Sequence, residues 1–442
     1  MKVQTSTLGP PLATVPSSLP RLRHSVAWSL LGNIAFALSQ WALLTSVSKL
    51  GGAIMVGQLA LALAISSPVF LFTNLQLSTV QTTDTFDRFI FADYFALRLA
   101  ATGLGIVAVI VALGLWPQSQ TTTAVTLLIS AYKAFDSVSD IIYGFFRKYE
   151  RMDLITLSQL ARGTVSVVAF TAALLWSSRL TWAAGALALA GSVTLMTFDF
   201  PMLARLSRTA TTHGRFQLAP HWSTRTSRCL VGITLPLGVS AMLVSLNANL
   251  PRYFISHVLG EESLGFFAGA TYVTMAGTFV VSAVAQAVLP RLAHYYKAGN
   301  IVSLKAVLLR LCVFSVAIGV AGILLSFLAG RQILSLIYRP EFAAYSALLT
   351  LAACAATVAY AASVMNCAMN AVHRYSQQLP IILATGAATS LACLLLVPSH
   401  GLHGAALAMI AGYGIQLGSA VAIVANALRG SAARPRADQS HA

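Results

Sequence analysis

Charged residues are scarce in this chain of 442 residues. Only 9% of them are Asp, Glu, Lys or Arg, whereas 57% are hydrophobic. An average soluble domain carries about 25% charged residues, so the composition excludes an ordinary soluble domain and indicates an integral membrane protein. The length allows about a dozen membrane spans of roughly 20 residues each. We therefore predict an all-α membrane protein with about 12 transmembrane helices.

Motifs for covalent or metal chemistry are also lacking. The five cysteines form no pair with metal-ligand or redox spacing, so we interpret them as small packing residues. The chain contains no Gly-x-x-x-x-Gly-Lys-Ser/Thr phosphate loop, which excludes ATP hydrolysis at a P-loop nucleotide site. A membrane glycosyltransferase or polymerase would need acidic or histidine residues clustered on a substantial loop, and the long internal connection is basic without paired carboxylates. We expect no enzyme activity, no metal and no cofactor.

Positive charge is the one electrostatic surplus, with a formal net charge of +16. The basic residues are spread over loops and helix ends, so we expect membrane lipids and no nucleic acid as their partners. With the N-terminus in the cytoplasm, roughly 21 Lys and Arg fall inside and about 5 outside, as the positive-inside rule requires. We expect both termini to be cytoplasmic.

Hydrophobic runs divide the chain into two halves of six spans. The predicted spans 1 to 12 cover residues 26–44, 54–77, 94–115, 124–145, 155–176, 182–203, 230–250, 263–289, 302–329, 342–371, 379–397 and 402–428. The predicted organisation is a disordered cytoplasmic leader (1–25), an N-lobe (26–203), a basic cytoplasmic loop (204–228), a C-lobe (229–428) and a cytoplasmic tail (429–442).

The two halves also share a glycine pattern. Gly52 and Gly57 follow span 1, and Gly260 and Gly265 follow span 7 with the same spacing. Glycine permits a tight turn and close helix packing, so each pair is expected to join the first two spans of a lobe. The repeat suggests two lobes related by an axis along the membrane normal.

Span 4 contains three charges, Lys133, Asp136 and Asp140, at helical offsets that place them on one face. Each would cost about 2.5 to 3.5 kcal/mol at the centre of an isolated membrane helix, so a lipid-facing stripe is disfavoured. Two alternatives stay open at this point. The charges neutralise one another within the protein, or they line a water-filled cavity.

Several motifs, in order along the chain, resemble the bacterial polysaccharide flippases (Wzx type) of the multidrug, oligosaccharidyl-lipid and polysaccharide exporter superfamily. The segment from Lys133 to Asp153 is similar to the signature of the fourth helix of that family. The other similar segments are residues 74–77, 93–98, 199–201, 249–253, 289–293, 338–342 and 401–406.

The resemblance implies two six-helix lobes in a V around a central cavity. It implies that the cargo is an undecaprenyl-diphosphate-linked oligosaccharide, flipped from the cytoplasmic to the outer leaflet of the bacterial inner membrane for O-antigen, capsule or exopolysaccharide synthesis. A polysaccharide polymerase and other assembly proteins are the implied partners. The alternative is an ion-coupled small-molecule or multidrug exporter of the same superfamily, for which a carboxylate-lined, cation-poor cavity would be expected.

Cations at membrane depth would suit the diphosphate of such a cargo, because Arg and Lys bind phosphate oxygens well. For Arg98, Arg252 and Arg310 the competing interpretation is snorkelling to the headgroups, and for Lys133 it is an ion pair with Asp136. The candidate cavity cations are Arg98, Lys133, Arg162, Arg252 and Arg310.

Three carboxylates are candidates for coupling to a proton or sodium gradient: Asp136, Asp140 and Asp199. Asp199 precedes Pro201 near the end of span 6, where a cap or headgroup role is the stronger interpretation. A helix break is predicted in span 7 at Asn247, Asn249 and Pro251, because proline removes a backbone donor.

Overall fold

The computed structural model describes residues 19–84, 88–210 and 219–432, which are helical apart from short connections and contain no strand. Residues 1–18, most of the predicted leader, lie outside the described residues. The α-helices are α1 (Leu19–Thr73), α2 (Leu77–Thr83), α3 (Phe91–Leu115), α4 (Gln120–Lys148), α5 (Met152–Ser177), α6 (Leu180–Thr194), α7 (Phe200–Ala210), α8 (Thr224–Lys297), α9 (Ile301–Ile337), α10 (Ser346–Ala371) and α11 (Gln378–Ala432).

Three long helices each contain two membrane spans separated by one glycine. Gly52 in α1, Gly260 in α8 and Gly401 in α11 have φ values of 76°, 84° and 59°, in the left-handed region that glycine adopts without steric cost. Eight helices in the described residues are long and apolar enough to cross a membrane. Dividing three of them at these glycines and adding the 29-residue α4 gives the predicted twelve spans.

The spans form the two expected six-helix lobes, α1 to α7 and α8 to α11. Because successive spans run in opposite directions, Gly52, Gly260 and Gly401 all lie at one end of the bundle, which we call the glycine-turn end. Trp176 and Trp182 pack edge to face at this end and are 83% and 58% exposed. Exposed tryptophans at span ends are typical of a membrane interface.

The lobes touch backbone to backbone near the glycine-turn end. A Cβ atom on Gly57 would overlap the carbonyl oxygen of Glu261, and one on Gly265 would overlap that of Ala53. The contact is reciprocal: Gly57 of α1 meets the backbone of α8, and Gly265 of α8 meets the backbone of α1. Only glycine allows two helices to approach so closely.

Side chains reinforce this contact. The Glu261 carboxylate accepts hydrogen bonds from Gln58 at 2.9 Å, from Ser119 at 3.2 Å and from Thr122. Arg339, in the connection between α9 and α10, donates to the carbonyl oxygens of Lys49 at 3.0 Å and Leu50 at 2.8 Å. The two lobes are therefore joined across the glycine-turn end.

Two sequence predictions are corrected here. The chain does not break at Asn247, Asn249 and Pro251, since α8 stays helical until Gly260. The side chain of Asn249 donates to the carbonyl oxygen of Ser245, one turn earlier on α8, at 2.8 Å. The predicted loop 204–228 is helical at both ends, because α7 continues to Ala210 and α8 begins at Thr224; residues 211–218 lie outside the described part.

Candidate functional site

Arg98 on α3 is the first centre of a buried polar network. Its guanidinium is fully buried and bonds Asp140 of α4 at 2.9 Å and the side-chain oxygen of Asn74, just beyond α1. Asp140 also accepts a hydrogen bond from Ser78 of α2 at 3.0 Å. One ion pair thus ties together four helical segments of the N-lobe.

Arg162 on α5 is the second centre, and its side chain is only 2% exposed. It bonds two carboxylates, Asp136 of α4 at 2.8 Å and Asp199 at 2.9 Å. It also donates to the hydroxyl of Ser139, which in turn donates to Asp199 at 2.5 Å. An arginine with two acidic partners holds its planar fork in a fixed orientation.

Asp199 reaches this network because of a local change in helix type. Residues Leu195–Asp199 form a π-helical turn between α6 and α7, and such turns often occur at functional sites. Its carboxylate is fully buried and also accepts a hydrogen bond from Ser158 of α5. The headgroup role favoured from sequence is therefore wrong for Asp199.

A cavity of about 240 Å³ adjoins both arginine networks. Asp136 and Asp140 are 37% and 32% exposed there, so one side of each carboxylate faces the open space. Arg147, in the last turn of α4, also lines the cavity and is half-buried. The cavity lies toward the end of the bundle opposite the glycine turns.

Arg147 and Arg162 line the cavity and Arg98 lies beside it, and the three arginines differ in what holds them. Arg98 and Arg162 are buried and balanced by aspartates, whereas Arg147 forms no ion pair or side-chain hydrogen bond within the described residues. A half-buried cation without an anionic partner favours an anionic ligand, since a local interaction is stronger there than in bulk water. The arrangement can thus bind an anion while Asp136 and Asp140 remain accessible to cations.

Five of the candidate residues from sequence meet in this one site: Arg98, Arg162, Asp136, Asp140 and Asp199. The other three candidate cations do not line it. Lys133 is half-buried one turn away on α4 and makes no ion pair with Asp136, which bonds Arg162. Arg252 lies on α8, where it bonds Asn249 at 3.1 Å and stacks on Tyr272, and Arg310 is exposed on α9. Roles for these three stay predictions.

Sequence reasoning missed Arg147 as a cavity residue. Together with Lys148 and Arg151 it forms a basic cluster at a helix end, and such a cluster is ordinarily interpreted as a topology signal. Its offset of seven residues from Asp140 does place both on one face of α4, and that spacing was available in the sequence. The partners Asn74, Ser139 and Ser158 gave no comparable signal.

Solved structures show which class of protein has this fold. A multidrug resistance MATE family transporter of the MOP superfamily matches with a TM-score of 0.66 in its inward-facing conformation, at 12% identity over 92% of this chain and 95% of that one. Its outward-facing conformation gives 0.63, at 14% identity over 94% and 96%. A MOP superfamily transporter from Pyrococcus furiosus gives 0.61, at 15% identity over 93% and 95%. The fold is that of a multi-pass membrane transporter.

The family follows from sequence. Residues 24–296 match the family described as polysaccharide biosynthesis protein, so the chain belongs to that family. The capsular polysaccharide biosynthesis protein CapF from Staphylococcus aureus is 24% identical over 381 residues, 85% of this chain and 92% of that protein. The resemblance seen in the sequence motifs is confirmed.

Replacement of Arg162 tests the buried network. We expect Arg162→Ala to destabilise the protein by about 3–5 kcal/mol, because Asp199 would remain buried without its partner. Arg151→Ala is the matched control: it removes an exposed pair with Asp153, worth about 0–1 kcal/mol. Thermal unfolding of both purified variants in detergent measures the difference. Equal midpoints for the two variants would show that the network contributes no stability.

Proposed function

We propose that this protein flips an undecaprenyl-diphosphate-linked oligosaccharide repeat unit across the bacterial inner membrane for the synthesis of a surface polysaccharide. The family membership and the transporter fold support a role in the export step of this pathway. The observation that carries the choice of cargo is Arg147, which lines the cavity and has no anionic partner among the described residues. A diphosphate is the anion that such a cargo presents.

The reaction breaks no bond, so the protein has to shelter charge rather than perform chemistry. The diphosphate and glycan would enter the polar cavity while the prenyl chain stays in lipid. Arg147 would contact the phosphate oxygens, and the paired Arg98 and Arg162 would keep the wall of the cavity polar. No cofactor is needed for these steps.

Alternating access requires one end of the bundle to be closed while the other admits cargo. Contacts of Glu261 and Arg339 join the lobes at the glycine-turn end, and the cavity lies toward the opposite end. We infer that this structure corresponds to a cytoplasm-facing state. Release of the cargo would require those contacts to open.

We propose that both termini lie in the cytoplasm, as the distribution of Lys and Arg indicates. The glycine-turn end would then face outward. A cysteine placed at Arg208, in α7 near the opposite end, should resist membrane-impermeant maleimides in intact cells. Labelling from outside would contradict this orientation.

Arg147→Ala tests the binding role. We expect it to lower surface polysaccharide by about tenfold or more, the effect of losing a charge-assisted contact of about 1.5–3 kcal/mol, with normal protein levels in the membrane. Arg151→Ala removes the same charge from the same end of span 4 but lies outside the cavity, and it should display wild-type polysaccharide. Equal display by the two variants would exclude Arg147 as a cargo contact.

We propose that a proton or sodium gradient drives the cycle through Asp136 and Asp140, whose carboxylates face the cavity. Their Asn variants keep the size of the side chain and remove its charge, and because Asp140→Asn also removes the anionic partner of Arg98, each variant is first checked for wild-type amounts of folded protein. Transport by these variants in proteoliposomes should lose its dependence on the imposed gradient while a gradient-independent rate remains. Unchanged dependence would leave both carboxylates with a structural role.

The second candidate is a small-molecule exporter that is coupled to an ion. The fold similarity to multidrug transporters favours it as much as a flippase, since identities of 12–15% show the fold alone. The cavity does not have the cation-poor wall expected for such a pump, because three arginines line or adjoin it.

A polysaccharide polymerase and other assembly proteins remain proposed partners of the flippase.

A further inference from the structure

A second cavity, of about 190 Å³, lies in the C-lobe between α8 and α10. Its polar lining comes from Ser282 and Gln286 on α8 and from Ser363, Asn366 and Asn370 on α10. On each helix the lining residues follow the first one, Ser282 on α8 and Ser363 on α10, at intervals of three, four and seven residues. These intervals place the residues on one face of each helix, and the two faces line the cavity from opposite sides. The thiol of Cys367 bonds the carbonyl oxygen of Ala285 at 3.2 Å and closes the cavity between them.

This cavity occupies the place in the C-lobe that the charged cavity occupies in the N-lobe. The glycine pairs Gly52/Gly57 and Gly260/Gly265 define how the two halves align in sequence. With the same offset between the halves, Asn74 corresponds to Ser282 and Ser78 to Gln286. Span 4 of the first lobe likewise corresponds to span 10. Both cavities lie toward the end opposite the glycine turns.

The two cavities differ in charge. The N-lobe cavity is lined by Asp136, Asp140, Arg147 and Arg162, whereas none of the described residues that line the C-lobe cavity is ionised. Cys367 is the one titratable residue among those described lining residues, and it is buried. The two cavities thus lie at corresponding ends of the lobes, and the described lining of the C-lobe cavity offers amides and hydroxyls in place of ionised groups.

Most of these polar groups are available to a ligand. Within the described residues the side chains of Ser282, Gln286, Ser363 and Asn366 make no hydrogen bond to the protein, while Asn370 accepts one from Gln378 at 2.5 Å. An amide offers two donors and an acceptor, and a hydroxyl offers both kinds, which matches the hydroxyl groups of a sugar. A phosphate would instead favour a cation.

We propose that this C-lobe cavity binds a neutral sugar ring of the cargo glycan. The proposal rests on the proposed function, because it divides one lipid-linked cargo between two lobes: the diphosphate at Arg147 and the carbohydrate at Gln286 and Asn366. A volume of about 190 Å³ is below the ~300–1,000 Å³ of sites that enclose a whole ligand, so it suits one part of a larger molecule.

Binding of two lipids to the purified full-length protein tests this division. The probes are undecaprenyl diphosphate and the same lipid carrying the complete repeat unit, extracted from cells that make the polysaccharide. The wild-type protein should bind the glycosylated lipid more tightly. Asn366→Leu and Gln286→Leu should each lower the affinity for the glycosylated lipid by about fivefold to tenfold, the effect of one lost hydrogen-bonding amide. The affinity for undecaprenyl diphosphate should not change.

Gln332→Leu is the matched control, an exposed glutamine on α9 outside the cavity, and it should bind both lipids as the wild type does. Ser363→Ala provides a milder change if a leucine variant fails to fold. Wild-type affinity of every cavity variant for the glycosylated lipid would overturn the sugar site and leave the flippase proposal intact. Failure of the wild-type protein to bind either lipid would overturn both.

Discussion

The pairing of charge inside the membrane is the constraint on which this structure depends. Each arginine or aspartate at the centre of a span costs about 2.5–3.5 kcal/mol when unpaired. The N-lobe satisfies Arg98 with Asp140, and Arg162 with Asp136 and Asp199, at distances of 2.8–2.9 Å. These bonds connect α3, α4, α5 and the π-helical turn, so they fix the wall of the cavity as well as its charge. Arg147 can remain available because the other two arginines are already balanced.

The second constraint is the close contact between the lobes. Gly57 and Gly265 allow the backbones of spans 2 and 8 to come into direct contact, and Glu261 and Arg339 add hydrogen bonds around them. The same region also buries side chains of both lobes in one hydrophobic cluster, which includes Val56 and Leu59 of α1 with Ile255 and Leu264 of α8. A movement that opens this end would therefore have to separate apolar side chains as well as the hydrogen bonds, while each lobe keeps its own helix packing.

Much of the architecture could be predicted from the sequence. Apolar runs defined the spans, and Gly52 and Gly260 marked two of the turns between them. The anomalous charges of span 4 pointed to the site before its geometry was known, although their partners could not be identified. Arg98 and Arg162 lie on the preceding and the following helix, α3 and α5, and Asp199 enters only through a π-helical turn that no residue pattern predicts. Partner choice in a helical bundle depends on helix rotation, which local sequence does not fix.

The errors have a common physical origin. The sequence interpretation of Pro251 as a break and of Asp199 as a headgroup contact rested on the chemistry of each residue alone. In the structure α8 remains helical through Pro251, and Arg162, Ser139 and Ser158 surround Asp199. The repeat conveys more information in the structure than in the sequence. It reveals that a charged cavity and a neutral one occupy corresponding places in the two lobes, which matches a cargo with an anionic part and a carbohydrate part.

The most direct measurement is translocation by the purified protein in proteoliposomes. A fluorescently labelled undecaprenyl-diphosphate-linked oligosaccharide is placed in both leaflets, and an impermeant quencher is added outside. The flippase proposal predicts that the protected half of the fluorescence becomes accessible with the wild-type protein and stays protected in protein-free vesicles. If the protected half persisted while the same vesicles exported a small organic cation, the flippase proposal would be contradicted in favour of the exporter.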